Sequence, residues 1–258
     1  MRLKGQTAII TGSSRGLGRE MAIRFSEEGC RIVIHGTSAK GAEETANLCV
    51  GETEIVLGDI RDPETSSQLV EAALGHFGRI DILVNNAGNA RLEAFLDFDY
   101  GHFKAMISMH LDGTFLASQH VARAMARLGG GRILNMSSVA AAHGQFGFAA
   151  YGTAKTAIEG LTRVLAVELA QYKISVNCLS PGPVLTDMLK NVYTAEQLAE
   201  RARTIPAQRL ASPQEVAETA LFLVSPEAAY ITGQVLRLDG GATAAGCFTM
   251  EVYKRSPR

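Results

Sequence analysis

Short, uninterrupted apolar runs alternate with longer stretches of helical periodicity along nearly the whole chain, and few folds accommodate that order. The runs Thr7–Thr11, Arg31–His35, Glu54–Leu57, Ile80–Val84, Arg132–Met136, Ser175–Leu179 and Val235–Leu238 predict seven strands. Several are apolar throughout, as parallel strands covered on both faces must be. Between them, Gly16–Glu28, Pro63–Phe77, Phe98–Arg127, Tyr151–Gln171 and Pro213–Val224 predict helices. In the last, Val216, Ala220 and Leu223 recur at helical spacing after a Ser-Pro start. Such alternation implies βαβ units, so the expected fold class is α/β: a doubly wound, seven-stranded parallel sheet with helices on both faces. No linker or repeat divides residues 1–258, which predicts a single domain. Glu93–Asp99 and Met188–Arg209 read as loops or excursions off the sheet.

In an open parallel sheet, ligands bind beyond the carboxyl ends of the strands. After the first run comes TGSSRGLG, Thr11 to Gly18, leading straight into a helix. Gly12, Gly16 and Gly18 let the backbone turn tightly and approach a pyrophosphate, whose charge a helix N-terminus favours. The spacing is G-x-x-x-G-x-G rather than the commoner G-x-G-x-x-G. Asp59 and Ile60 follow the third run, and NNAG (Asn85 to Gly88) follows the fourth. The asparagines can fix a turn, touch a ribose, or do both. Tyr151 and Lys155 are four apart on a predicted helix and so share a face. Ser138 follows the fifth run and Pro181-Gly182 the sixth. Hydroxyls, an amine and a tight turn thus converge on one edge of the sheet, which packing alone does not explain.

Together with SPGPVLTDM (Ser180 to Met188) and LDGG (Leu238 to Gly241), these motifs fall in the order and spacing of the short-chain dehydrogenase/reductases. The chain resembles that family, and hence a Rossmann sheet, from Gly5 to about Ala242. It most resembles the 3-oxoacyl-carrier-protein reductases and the sugar or polyol dehydrogenases, whose ending matches Ala228–Gly241. The resemblance implies that Tyr151 is the acid that protonates a carbonyl oxygen, or the base in reverse. A free phenol ionises near pH 10, so Lys155 and an oxidised nicotinamide are expected to make it more acidic. Lys155 also holds the nicotinamide ribose in this reading, and Ser138 bonds the substrate oxygen. The dinucleotide is expected along Gly12, Ser14, Arg15, Gly16, Leu17 and Gly18, with Thr37, Asp59 and Ile60 at the next strand ends. Asn86, Ala87 and Gly88, then Pro181, Gly182, Val184 and Thr186, complete its expected surroundings.

Two departures matter. The family has an asparagine in a pattern like N-L-x-G-x-F, where this chain reads His110-Leu111-Asp112-Gly113-Thr114-Phe115. His110 can donate and accept hydrogen bonds, so an altered proton relay and a purely structural histidine both stand. The second departure is Gly36, at the place where NAD-preferring relatives carry an aspartate. No carboxylate there repels a 2′-phosphate, while Arg15, Thr37 and Ser38 can bind one. NADP(H) is therefore expected over NAD(H), with use of both left open because Thr37 replaces the usual arginine.

Composition narrows the rest. Twenty-five basic against 26 acidic residues leave a net charge of −1, giving no general attraction for nucleic acid or an anionic membrane. The longest uncharged stretch, Ile133–Ala154, holds too many polar groups to span a bilayer. Four scattered cysteines suit neither a zinc site nor a disulfide framework, and six histidines show no metal-binding spacing. The start of the chain is too short in apolar residues for a signal peptide, so a cytoplasmic protein is expected. His143, Gln145 and Phe148 read as pocket walls. Arg127–Gly130 and Gln171–Lys173 read as a thin basic patch near the entrance, so a carrier-bound 3-oxoacyl thioester and a free sugar acid, polyol or cyclic alcohol remain comparable substrates. A non-catalytic nucleotide-binding regulator is disfavoured because Ser138, Tyr151 and Lys155 are all present. The resemblance implies a homotetramer or homodimer; in the C-terminal tail Ala242–Arg258, Phe248, Met250, Val252 and Tyr253 alternate, and packing on a neighbouring subunit and a disordered tail both stand.

Overall fold

The computed structural model describes residues 1–186, 189 and 193–245. The alternating tail at Phe248–Tyr253 and the Asp187-Met188 end of the SPGPVLTDM motif lie outside the described residues. All seven expected strands form: β1 (Thr7–Ile10), β2 (Arg31–Gly36), β3 (Thr53–Leu57), β4 (Ile82–Asn85), β5 (Gly131–Met136), β6 (Ile174–Pro181) and β7 (Val235–Leu238). They make one parallel sheet in the order β3-β2-β1-β4-β5-β6-β7. Ile9 lies between Val33 of β2 and Leu83 of β4. The strand order reverses between β1 and β4, which opens a crevice beyond their carboxyl ends.

Helices α1 (Gly16–Glu27), α2 (Ala39–Leu48), α3 (Pro63–Phe77), α4 (Tyr100–Ile107), α5 (Gly113–Leu128), α6 (Ala149–Leu169), α7 (Ala195–Arg203) and α8 (Pro213–Leu223) surround the sheet. Two cores result. Met21 and Phe25 of α1, Ala42 of α2 and Val216 and Leu221 of α8 cover one face. Leu69 and Phe77 of α3, Val121 and Met125 of α5 and Ala166 of α6 cover the other. Each of these side chains is at least nine-tenths buried, so the all-apolar strand pattern is explained by cover on both faces.

The ends of these helices follow local chemistry. Asp62 accepts from the Glu64 amide ahead of Pro63, and Gly78 closes α3 in the left-handed region. Ser212 and Glu215 form a reciprocal capping box around Pro213. Two expectations need correction. The Met188–Arg209 excursion contains α7, started by a Thr194/Gln197 capping box, and the long helix expected over Phe98–Arg127 is broken. Asp99 caps its start at Tyr100, and a π-helical turn at Ser108–Asp112 separates α4 from α5. That turn holds one residue more than α-geometry, and it directs His110 toward the sheet edge.

Candidate active site

The glycine loop is held from three sides. Thr11 Oγ1 accepts the amides of Asn86 and Ala87, both at 3.0 Å. The Asn86 side-chain amide donates to the carbonyls of Thr11 at 3.0 Å and Gly12 at 3.1 Å. Gly12 has φ +66°, and a Cβ there would lie 2.7 Å from Ala87 Cα. A Cβ on Gly18 would lie 2.4 Å from the Gly12 carbonyl oxygen, so both glycines answer close backbone approach. Of the two readings of Asn86, the fixing of the turn is the one its side chain performs here.

Helix α1 begins with no side-chain cap and no acid in its first turn, leaving its amides and dipole available to an anion. Beside it opens a pocket of about 370 Å³ lined by Ser14, Arg15, Arg19, Thr37, Ser38, Lys40, Gly41 and Glu44. Arg19 is spoken for: it donates to Ser14 and Gly41 carbonyls and pairs with Glu44 at 2.9 Å. Arg15 and Lys40 are exposed. A Cβ on Gly36 would lie 2.6 Å from Ser14 Oγ, so the Ser14 side chain fills the space where an acidic residue would start. Uncapped amides, cations and hydroxyls in one cradle fit a dinucleotide's phosphates. Asp59 follows β3 chelated by Arg61, whereas the Ile60 side chain is buried in the core against Gly113. Any contact of Ile60 with a ligand therefore falls to its backbone.

At the other half of the crevice, Tyr151 lies on the first turn of α6 and Lys155 one turn later. Lys155 is 5% exposed; its Nζ donates to the Met136 carbonyl at 2.7 Å and lies 5.6 Å from the Tyr151 ring centre. Burial pushes its pKa down to about 8. Ser138 follows β5 as the cap of a single 3-10 turn, accepting from Ala140 N at 3.2 Å, and its nearby hydroxyl favours ionisation of the Tyr151 phenol. Burial outweighs that influence, however, and raises the phenol above its ordinary value. The acidity expected of Tyr151 is thus not produced by the protein alone, because desolvation dominates and the Lys155 ammonium is turned to a carbonyl. Phe148 packs on Tyr151 with ring centres 5.3 Å apart.

His110 completes the group. Its ring meets that of Tyr151 edge-on at 5.4 Å. Nε2 lies 2.7 Å from the Asn89 carbonyl, which only accepts, so Nε2 carries the proton. Nδ1 is buried without a hydrogen-bond partner among the described residues. A Cβ on Gly88 would lie 2.2 Å from this ring, so the glycine of NNAG is required by its neighbour. Burial, with the Lys155 charge second, pushes the His110 pKa down to about 3.

The remaining expected residues are scattered around the rim. Pro181 is the last residue of β6, not a residue beyond it, and Gly182 donates to Leu238 at 2.9 Å. Val184 is buried and bridges to Ala211, and the Thr186 amide donates to the Val184 carbonyl at 2.8 Å. His143 and Gln145 are exposed. Arg127 and Lys173 precede β5 and β6, at the edge of the sheet opposite Tyr151, so they do not form a basic entrance. The sequence reading missed Lys40, carried by α2 from the Ser38 cap, and Phe95, Leu96 and Phe146. These last three stand more than three-quarters exposed, Phe146 two residues before the Phe148 that packs on Tyr151. Their two loops are joined by the Glu93 amide donating to the Gly147 carbonyl at 3.1 Å. The signal for α2 was the Ser38 cap.

A doubly wound sheet with an anion-binding glycine loop at its switch point and a buried Tyr-Lys pair opposite is the arrangement of a dinucleotide-dependent oxidoreductase. A family model described as enoyl-(acyl carrier protein) reductase matches residues 12–243. The chain is 35% identical to the 3-oxoacyl-(acyl-carrier-protein) reductase FabG of Vibrio cholerae over 241 residues, covering 93% of this chain and 98% of the relative. It is 37% identical to the 7alpha-hydroxysteroid dehydrogenase of Escherichia coli over 248 residues, covering 93% and 95%. A solved 7alpha-hydroxysteroid dehydrogenase, in complex with NADH and 7-oxo glycochenodeoxycholic acid, superposes with a TM-score of 0.88 at 36% identity, covering 93% and 95%. The chain belongs to the short-chain dehydrogenase/reductase family. It is an NAD(P)-dependent oxidoreductase acting on a CH–OH/C=O pair of a small molecule. None of its described helices is long and apolar enough to cross a membrane.

The neutral, buried His110 predicts an acid sensitivity with a defined sign. The unfolded chain takes up a proton near pH 6.5 that the folded one refuses until about pH 3, so stability is full above 6.5 and lost below it. Each such histidine costs about 1.4 kcal/mol per pH unit in that window. Thermal melts from pH 7 to 5 should show a shallower loss in His110→Asn than in the native chain; equal slopes would contradict it.

Proposed function

We propose that the chain is an NADP(H)-linked reductase of ketones, or dehydrogenase of secondary alcohols, whose substrate carries a large apolar portion, a 3-oxoacyl thioester being the leading candidate. The observation that carries this reading is the meeting of Ser138, Tyr151 and Lys155 at the open end of β5, brought from segments thirteen residues apart. Tyr151 passes its proton to the substrate oxygen in reduction and reclaims it in oxidation. Ser138 holds that oxygen and stabilises its developing charge. Lys155 supplies positive charge below about pH 8 and holds the nicotinamide ribose, and His110 closes the pocket behind Tyr151. The nicotinamide, when bound, supplies or takes up the hydride.

The substrate class is supported by Phe95, Leu96 and Phe146 at the rim, where a polyol would meet unfavourable apolar surface. The acyl and steroid names of the relatives both describe molecules with large apolar parts. A sugar acid, polyol or cyclic alcohol is the second reading. NADPH oxidation should be fastest with an acetoacetyl thioester or a bulky apolar ketone and slow with ketoses, and Tyr151→Phe should abolish it while leaving dinucleotide affinity nearly intact. Retained turnover in that variant, or a preference for ketoses, would reverse the assignment.

The choice of NADP(H) rests on Gly36 and on Arg15 and Lys40 beside Thr37 and Ser38. The NADH bound to the steroid dehydrogenase represents the contrary case. The expected result is a kcat/KM at least about tenfold higher for NADPH, since a charge-assisted phosphate bond contributes about 1.5–3 kcal/mol. Arg15→Ala with Lys40→Ala should remove most of that preference, and an unchanged ratio would refute the role of this pocket.

Assembly into a dimer or tetramer is part of the same proposal, because Phe115 of α5 and Val164 and Val167 of α6 remain exposed on adjoining helices. Light scattering at micromolar concentration should give a mass at least twice that of the chain; a monomer would exclude it.

A further inference from the structure

One buried titratable group is used neither by the chemistry nor by the phosphate pocket. His35, near the end of β2, is 2% exposed. Its Nδ1 lies 3.1 Å from the Gly12 amide and its Nε2 lies 3.2 Å from the Gly58 carbonyl. An amide only donates and a carbonyl only accepts, so the ring is neutral, with the proton on Nε2. The His35 backbone is engaged as well: its amide donates to Ser13 Oγ at 3.0 Å and its carbonyl accepts from Ser13 N at 2.8 Å. Ser13 Oγ in turn donates to Ile10 O at 2.7 Å. One residue therefore ties the glycine loop after β1 to the loop after β3, where Asp59 lies.

We propose that His35 is the positioning residue of the dinucleotide cradle, its ring spanning Gly12 and Gly58 and fixing the distance between the two loops that receive the cofactor. The proposal rests on dinucleotide binding in this loop but not on which dinucleotide is bound. Because the clamp supports the part of the cradle common to both cofactors, its loss weakens NADPH and NADH alike, unlike loss of the Arg15 and Lys40 pocket.

The bond has a built-in polarity. Protonating Nδ1 would set a donor against the Gly12 donor, so the clamp holds only while the ring is neutral. The charges around it are few. Asp59, itself chelated by Arg61, acts on the ring from beyond β3. Arg19 of α1 is engaged by Ser14 and Gly41 carbonyls and by Glu44 of α2. Burial dominates and moves His35 below its ordinary value, so the clamp fails only on the acid side of about pH 6.5.

Three variants separate positioning from mere packing. His35→Asn keeps an acceptor where Nδ1 stands but removes the titration. His35→Phe keeps the volume and loses both bonds. His35→Gln keeps a donor toward Gly58 alone. Dissociation constants for NADPH and NADH, measured by fluorescence titration between pH 5 and 8 alongside melting curves, should show the Phe and Gln variants about tenfold weaker for both cofactors at pH 7.5. The Asn variant, which keeps the Gly12 acceptor but cannot reach Gly58, should be weakened to a similar degree and should lose the native chain's acid-side fall in NADH affinity. Native-like affinity in a cooperatively melting Phe or Asn variant, or an acid-side fall in NADH affinity that survives in the Asn variant, would overturn the proposal. A loss confined to NADPH would overturn it too, by assigning the effect to the phosphate pocket.

Discussion

The arrangement depends on how a tight backbone turn after β1 is kept open to a ligand without collapsing. Such a turn carries amides and carbonyls that neither sheet nor helix satisfies, and each must find a partner. The Asn86 side-chain amide satisfies the Thr11 and Gly12 carbonyls of this turn, while Thr11 Oγ1 accepts the Asn86 and Ala87 amides of the loop after β4, the strand at which the sheet reverses. Once they are fixed, Gly12 and Gly18 can approach backbone closely, and α1 can point unused amides into the crevice. Gly88, two residues after Asn86, then provides the floor on which His110 lies. The cofactor loop and the region behind the tyrosine are thus consequences of one set of hydrogen bonds.

Desolvation is the common influence on the chemical groups. It lowers Lys155 to about 8, lowers His110 to about 3 and raises Tyr151. All three shifts favour the uncharged forms, as expected when water is excluded before a ligand supplies compensating charge. A positive charge brought by a bound cofactor would act on the phenol in the opposite direction, which links proton transfer to occupancy of the site.

Much of this was legible in the sequence, for identifiable reasons. Parallel strands buried on both faces write continuous apolar runs, so all seven were found within a few residues of their ends. That Tyr151, Lys155 and Ser138 lie near one another was legible because helix spacing and strand ends dictate where side chains converge. What escaped depended on tertiary contact. The π-turn at Ser108–Asp112 was marked only by the family position of His110, since one extra residue turns the downstream face by about 100°, which a short apolar pattern does not resolve. Helix α2 was missed because Gly41 and a short polar sequence weaken its signal, although Ser38 caps it. Arg127 and Lys173 were misassigned to the entrance although they precede the Arg132–Met136 and Ser175–Leu179 runs, which by itself puts them at the amino ends of β5 and β6, away from the carboxyl-end crevice. The role of His35 required knowing that Gly12 and Gly58 lie on either side of its ring.

The packing of Ser14 against Gly36 also constrains how such a protein can diverge. The two positions are twenty-two residues apart yet compete for one volume, so an acidic side chain at 36 is accessible only along with a smaller residue at 14 or a displaced loop. Change at the two positions is therefore epistatic: a side chain gained at 36 is accommodated best where position 14 is smaller. Mutational libraries that vary single positions would miss that combination.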